Sequence, residues 1–117
     1  MKKTHKKIEK ALVQQLTAAC ETLLDSSKGF CWLTHHVNFN TFPDSLRVIC
    51  VYESDDDINQ INISQVQQII AENLESIDIR LKNRNRQILF ESEENCTRVS
   101  DGIWRLHIDG FLLNRLL

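Results

Sequence analysis

The run Val48-Ile49-Cys50-Val51-Tyr52 constrains this chain more than any other feature, because apolar residues occupy both parities of a β-strand. Successive strand side chains point to opposite faces, so an apolar run without alternation must be covered on both sides. Residues 46–53 therefore predict a central strand. A chain of 117 residues can close one core around such a strand, which makes residues 1–117 a single domain.

The neighbouring segments supply the covering layers. Ile8, Leu12, Leu16, Cys20, Leu23 and Leu24 recur at spacings of three and four, with Val13 and Ala19 widening the stripe, and predict an amphipathic helix over 5–25. Thr4 can cap its start, and Gly29 can supply a left-handed end. Residues 30–37 crowd aromatic and β-branched types after a glycine and predict a strand. Residues 38–45 are a connection whose Phe39 and Phe42 either fold onto the core edge or form a small contact surface. Ser64 with Gln67 has the form of a capping box for a second helix, with Val66, Ile69, Ile70, Leu74 and Ile77 on one face. Beyond residue 76 the period is ambiguous, since Ile77, Ile79 and Leu81 alternate as in a short strand while Ile70, Leu74, Ile77 and Leu81 also fit helical spacing. The favoured reading is a helix running into a short strand, and 87–92 predict a further strand ending at Ser92, which can cap a short helix. Asp101-Gly102 and Asp109-Gly110 read as turns on either side of a last strand, 103–108. The expected architecture is α+β: a largely antiparallel sheet of four to five strands, with two main helices packed mainly on one face.

Several function classes are excluded or left without support. With three glycines and one proline there is no G-x-G-x-x-G or Walker-type phosphate loop. Hydrophobic residues at 42% and charged residues at 26% fit a globular chain, and no apolar run is long enough to cross a bilayer. The basic start followed by Leu16-Thr17-Ala18-Ala19-Cys20 superficially matches a lipoprotein signal, but Glu9, Lys10, Gln14 and Gln15 interrupt its apolar region. The expected location is the cytoplasm, with Cys20, Cys31, Cys50 and Cys96 reduced. No C-x-x-C pair exists, and Cys31 and His35 on one strand would lie about 13 Å apart, so neither a metal nor any other cofactor is expected. His35 and His36 must point to opposite faces. Pro43-Asp44 matches half of a restriction-nuclease pattern, but the acidic-x-Lys half is missing, its nearest approximation being Asp78-Ile79-Arg80. The acidic loop of Glu53, Asp55, Asp56 and Asp57 leaves metal-dependent hydrolysis as the weakest reading, and no catalytic residue is assigned.

The net charge of −2 conceals strong local segregation. Lys2, Lys3, Lys6, Lys7 and Lys10 open the chain, and Arg80, Lys82, Arg84 and Arg86 recur at every second position. In a strand the latter four share one face, and in a helix they form two columns, so both geometries concentrate positive charge. Such a stripe can take phosphates, with Asn83 and Asn85 adding donors, or it can be a solvated edge. The apolar tail Phe111, Leu112 and Leu113 can dock on its own core or cover a second subunit.

The stretches Trp32-Leu33-Thr34-His35-His36-Val37-Asn38 and Phe42-Pro43-Asp44-Ser45-Leu46-Arg47-Val48-Ile49-Cys50-Val51 resemble a family of small uncharacterised bacterial proteins. The likeness extends from Lys2-Lys3-Thr4 to Phe90-Glu91-Ser92-Glu93-Glu94-Asn95-Cys96 and Trp104. Members are commonly labelled Fis-family transcriptional regulators, which implies a cytoplasmic, nucleic-acid-associated role. Fis-type regulators read DNA with a C-terminal helix-turn-helix, whereas the strand predicted over 103–108 leaves no recognition helix in 98–117. No functional residue is carried across from that family.

The reading that follows is a small non-catalytic protein that contacts nucleic acid or another polyanion through Arg80, Lys82, Arg84 and Arg86, assisted by Lys2, Lys3, Lys6 and Lys7. The alternative is a protein-interaction or self-associating module, a homodimer included, built on Phe39, Phe42, Phe111, Leu112 and Leu113. Neither reading involves a membrane.

Overall fold

The computed structural model describes the backbone of residues 3–116 and the side chains of residues 4–112. Among these, helix α1 (Lys3–Ser26) leads into strand β1 (Phe30–His36), a 3₁₀ turn (Phe39–Thr41) and strand β2 (Arg47–Tyr52). Helices α2 (Asp55–Gln60), α3 (Ile63–Glu75) and α4 (Arg84–Gln87) then precede strand β3 (Ile88–Ser92) and helices α5 (Glu93–Ser100) and α6 (Trp104–Leu116). The sheet has the order β1-β2-β3, with β1 antiparallel and β3 parallel to β2. The fold is α+β, but the described residues form a mixed sheet of three strands with six helices. The expected four to five strands, two main helices and largely antiparallel pairing are thereby corrected.

The central strand behaves as its composition demands, with Val48, Ile49, Cys50, Val51 and Tyr52 all fully buried. Its parity divides the molecule into two cores. Val48, Cys50 and Tyr52 pack with Leu12, Leu16, Ala19 and Leu23 of α1 and Val66, Ile70 and Leu74 of α3. Ile49 and Val51 face the other way, toward Leu89, Ile108, Trp32, Trp104, Phe111 and Leu112. Helices thus cover both faces of the sheet rather than mainly one, because α6 exists where a strand was expected. Each buried branched side chain contributes about 1.5–3 kcal/mol by leaving water, so the two-sided strand anchors the fold.

Two segments depart from expectation for identifiable reasons. Residues 77–81 form no strand, because the end of α3 claims their backbone. Asp78 adopts the left-handed conformation (φ 61°), and the Ile79 N–H donates to the Leu74 carbonyl at 3.0 Å, closing a C-terminal cap. Ile77, Ile79 and Leu81 fold back onto the first core. Residues 103–108 are not a strand, and Asp109-Gly110 is not a turn. Trp104, His107, Ile108, Phe111 and Leu112 recur at helical spacing and pack inward, while Asp109 and Gly110 lie on the exposed side of α6. Period three-to-four outweighs a local turn signal when a whole helical face is buried.

The helix ends are otherwise well specified. Gly29 is left-handed (φ 84°) and leaves no space for a side chain, since a Cβ there would sit 2.4 Å from Cγ of Asp57. Thr4 lies inside α1 instead of capping it. The cap of α3 is Asn62, whose side chain accepts the Gln65 N–H, and not Ser64. Ser92 caps α5 as expected, accepting the Asn95 N–H at 2.9 Å.

Candidate polyanion interface

Strand directions give the molecule two chemically different poles. The Glu9–His35 contact at 2.8 Å sets the first turns of α1 beside the end of β1, and Ser27 meets Tyr52 at 2.6 Å at the far end of β2. The start of α1, the end of β1 and the starts of β2 and β3 therefore share one pole, which carries Lys6, Lys7, His36, Arg47, Lys82 and Arg86. The ends of β2 and β3 and the starts of α2 and α5 share the other, which carries Asp55, Asp56, Asp57, Glu91, Glu93 and Glu94.

At the basic pole Arg47, Lys82 and Arg86 line a cleft of about 340 Å³, together with Asp44, Asn83 and Gln87. Three cations from two separate segments, Arg47 at the start of β2 and Lys82 with Arg86 around α4, line it with a single carboxylate. That carboxylate, Asp44, is 3.6 Å from Lys82, and both side chains are mostly exposed. Arg47 donates to the carbonyls of Asp44 (2.7 Å) and Leu46 (3.0 Å), which fixes the guanidinium at the cleft wall. Burial, and then the charge of Arg86, hold Arg47 below the usual guanidinium pKa, with Asp44 partly opposing them. Among the described residues the Arg86 side chain makes no ion pair. Gln87 is buried and donates to the Pro43 carbonyl at 2.8 Å, tying the start of β3 to the 43–46 segment that forms the opposite wall.

The stripe predicted from alternation is thus dispersed and partly regrouped. Lys82 and Arg86 enter the cleft, whereas Arg84 turns back to Gln68 (2.6 Å) and Glu75 (3.8 Å), and Arg80 is exposed apart from it. Asn83 caps α4, and Asn85 accepts from Gln67, so these side chains are partly committed within the fold. Lys6 and Lys7 are exposed on α1 at the same pole but do not line the cleft. Lys2 and the Lys3 side chain lie outside the described residues. Arg47 was not anticipated. It is the only charged residue in the apolar run 46–52, and a charge at the mouth of a buried strand is a signal that could have found it.

The residues proposed for self-association are placed as follows. Phe39 stacks on His5 with centroids 4.8 Å apart, and Phe42 packs against the first core. Phe111 and Leu112 belong to α6 and pack on the second core, and the Leu113 side chain is outside the described residues.

The acidic pole carries its carboxylates differently. Asp55 accepts from Ser92 Oγ (2.6 Å) and Arg98 (2.9 Å), and these bonds hold its carboxyl below the usual range. Glu93 takes the indole N–H groups of Trp32 (2.7 Å) and Trp104 (2.9 Å) on its two oxygens. Glu94 accepts the Asp55 N–H, and Gln60 donates to Asp56. Glu91, buried on β3, accepts from the Ser92 N–H (2.8 Å) and Asn95 Nδ2 (3.0 Å) and meets His107 Nε2 at 2.7 Å. His107 Nδ1 in turn meets Ser100 Oγ at 2.9 Å. This carboxylate–imidazole–hydroxyl chain was not legible in the sequence, because the segment carrying His107 was read as a strand. Ser100 ends a helix, and the following N–H groups of Asp101 and Gly102 both point to the Cys96 carbonyl, so no pair of free donors faces an oxyanion there.

Among the described residues no group of three or more His, Cys, Asp or Glu side chains is placed to hold a metal ion. Burial pushes the thiols of Cys20, Cys31, Cys50 and Cys96 up, which disfavours the nucleophilic thiolate. Helices α5 and α6 are joined by residues 101–103, so a second C-terminal helix occupies the segment that was expected to hold a strand. Among the described residues of α6 the exposed ones include Arg105, Leu106, Asp109 and Gly110. No helix among the described residues is long and apolar enough to cross a membrane. No family model, curated protein or solved structure matches this chain.

Proposed function

We propose that this protein is a non-catalytic binding protein for nucleic acid, engaging phosphates through its basic pole. One observation carries the reading: Arg47, Lys82 and Arg86 converge on a single cleft against one carboxylate. Like charges at close range cost energy that only an anion returns, and guanidinium groups suit phosphate because their planar fork bonds two oxygens at once. The exposed Lys6 and Lys7 at the same pole extend the attractive field beyond the cleft. The packing of Phe111 and Leu112 on their own sheet favours this reading over self-association through the tail.

Fluorescence anisotropy with a duplex, a single-stranded DNA and an RNA at 50 and 200 mM salt tests it. Counting one phosphate for each of the three cations sets the upper bound, about a 40-fold loss of affinity over that range for duplex. The Arg47/Lys82/Arg86→Ala variant should lose most binding and most of its salt slope, while Arg80/Arg84→Ala should retain both. Binding that is absent at 50 mM salt, or equal in the two variants, overturns the proposal.

A further inference from the structure

The cleft does not stand alone. Beside it lies a chamber of about 350 Å³ lined by His36, Val37, Asn38, Thr41, Ser45 and Leu112, with Arg47 forming part of both walls. The geometry points to a nucleoside phosphomonoester as the bound unit, its phosphate between Arg47, Lys82 and Arg86 and its sugar and base in the chamber. This rests on the reading of the basic pole as a phosphate site and narrows it to one chemical group.

Three observations lead there. First, Arg47, Lys82 and Arg86 line one cleft of about 340 Å³, whereas an extended phosphodiester backbone is followed by a track of charges along a groove. Second, three cations facing one carboxylate leave an excess that a monoester matches, since it carries about 1.5 to 2 negative charges at neutral pH where a diester carries one. Third, the chamber is chemically mixed. Val37 and Leu112 offer apolar surface, His36 offers a flat ring, and Asn38, Thr41 and Ser45, already bonded to one another through the Asn38 backbone, add polar groups. A nucleobase has apolar faces and hydrogen-bonding edges and stacks on aromatic rings, so it uses both kinds of wall. Inorganic phosphate alone would leave the chamber unfilled.

The residue that opposes the anion is Asp44, which rests 3.6 Å from Lys82 on the cleft wall. An incoming phosphate must compete with it, which predicts a gain of affinity on its removal.

The experiment uses the whole chain and three dye-labelled single-stranded decamers of one sequence, ending in a 5′-phosphate, a 3′-phosphate or hydroxyls only, each dye on the opposite end. One phosphorylated decamer should bind at least tenfold more tightly than the hydroxyl strand, and Asp44→Asn should raise that affinity about threefold. Thr41→Trp, an exposed position that blocks the chamber, should abolish the preference yet leave salt-sensitive binding of the hydroxyl strand. His36→Trp provides a second exposed block, with the fold of both variants checked by circular dichroism. Competition by a nucleoside monophosphate separates the two sources: displacement at the affinity of the strand itself identifies the free nucleotide, and much weaker displacement identifies the strand end. If all three decamers bind equally and still depend on Arg47, Lys82 and Arg86, the monoester assignment falls and the nucleic-acid reading stands. If none binds, both fall.

Discussion

The two poles of this sheet hold charges of opposite sign under opposite conditions. At the acidic pole the carboxylates are consumed by the fold: Glu91 takes two N–H donors and a histidine, Glu93 two indoles, and Asp55 a serine and an arginine. The positions of Asp55 and Glu93 in the first turns of α2 and α5 also suit the positive ends of those helices. At the basic pole Arg47 and Arg86 line one cleft and repel one another, and the one carboxylate that lines it is shared with exposed Lys82. Satisfied charge holds an architecture together, while concentrated and poorly compensated charge is tolerated where a ligand completes it. The count of charged residues in each segment would have treated the poles alike; their partners distinguish them.

Breaking the acidic pole should have the largest effect on stability. Glu91→Ala removes the acceptor for Ser92 N–H, Asn95 and His107 at once in a site where Glu91 and His107 are both buried. Buried polar groups left without partners cost about 1–3 kcal/mol each, and Glu91→Ala leaves the Ser92 N–H, Asn95 and His107 in that state. Urea unfolding should show a loss of at least about 3 kcal/mol, with Glu91→Gln less affected because it keeps one acceptor oxygen. A loss under 1 kcal/mol for Glu91→Ala would remove the contrast between the poles.

A smaller effect is expected from Asp55 and depends on pH. Its folded carboxyl is depressed, first by the Ser92 hydroxyl and then by Arg98, so its contribution is present above the unfolded carboxyl value near pH 4. That contribution fades as pH falls through the lower folded value. Asp55→Asn should therefore lose about 0.5 kcal/mol at pH 7 and converge on the wild type in strong acid. The magnitude stays small because the side chain is 43% exposed and its pairing with Arg98 is screened by solvent.

How far these regions could be read in advance differs for physical reasons. Helix α1, the three strands and the start of α5 were legible, since each carries a local pattern that its packing obeys: helical period in Leu12, Leu16 and Leu23, doubled parity in 48–52, a serine cap at Ser92. Helix α6 was not, because Asp109-Gly110 is a turn signal in isolation and only the burial of Trp104, His107, Ile108 and Phe111 on a shared face overrides it. The basic pole was half legible. Lys82 and Arg86 are visible as part of an alternating run, but alternation implies a face only if the segment is a strand. Asp78 and the closure of α3 prevent that. Arg47 joins them from a residue 35 positions before Lys82, a proximity that only the parallel pairing of β2 with β3 creates.

The sharpest test of the contrast is also the smallest in size, because it concerns sign. If the basic pole is held for a ligand, truncating one of its charges should not cost stability. Arg86→Ala removes a guanidinium that makes no ion pair among the described residues and that repels Arg47. Surface changes of this kind fall within about 0.5 kcal/mol, and relief of repulsion sets the direction: a gain of a few tenths of a kcal/mol at low salt. That gain should vanish at 1 M salt, where the Debye length shrinks to about 3 Å. The same variant should bind oligonucleotide more weakly, so stability and binding move in opposite directions at this pole. A variant that is destabilised by more than about 1 kcal/mol at every salt concentration would make Arg86 a structural residue, and the two poles would then differ in sign of charge alone.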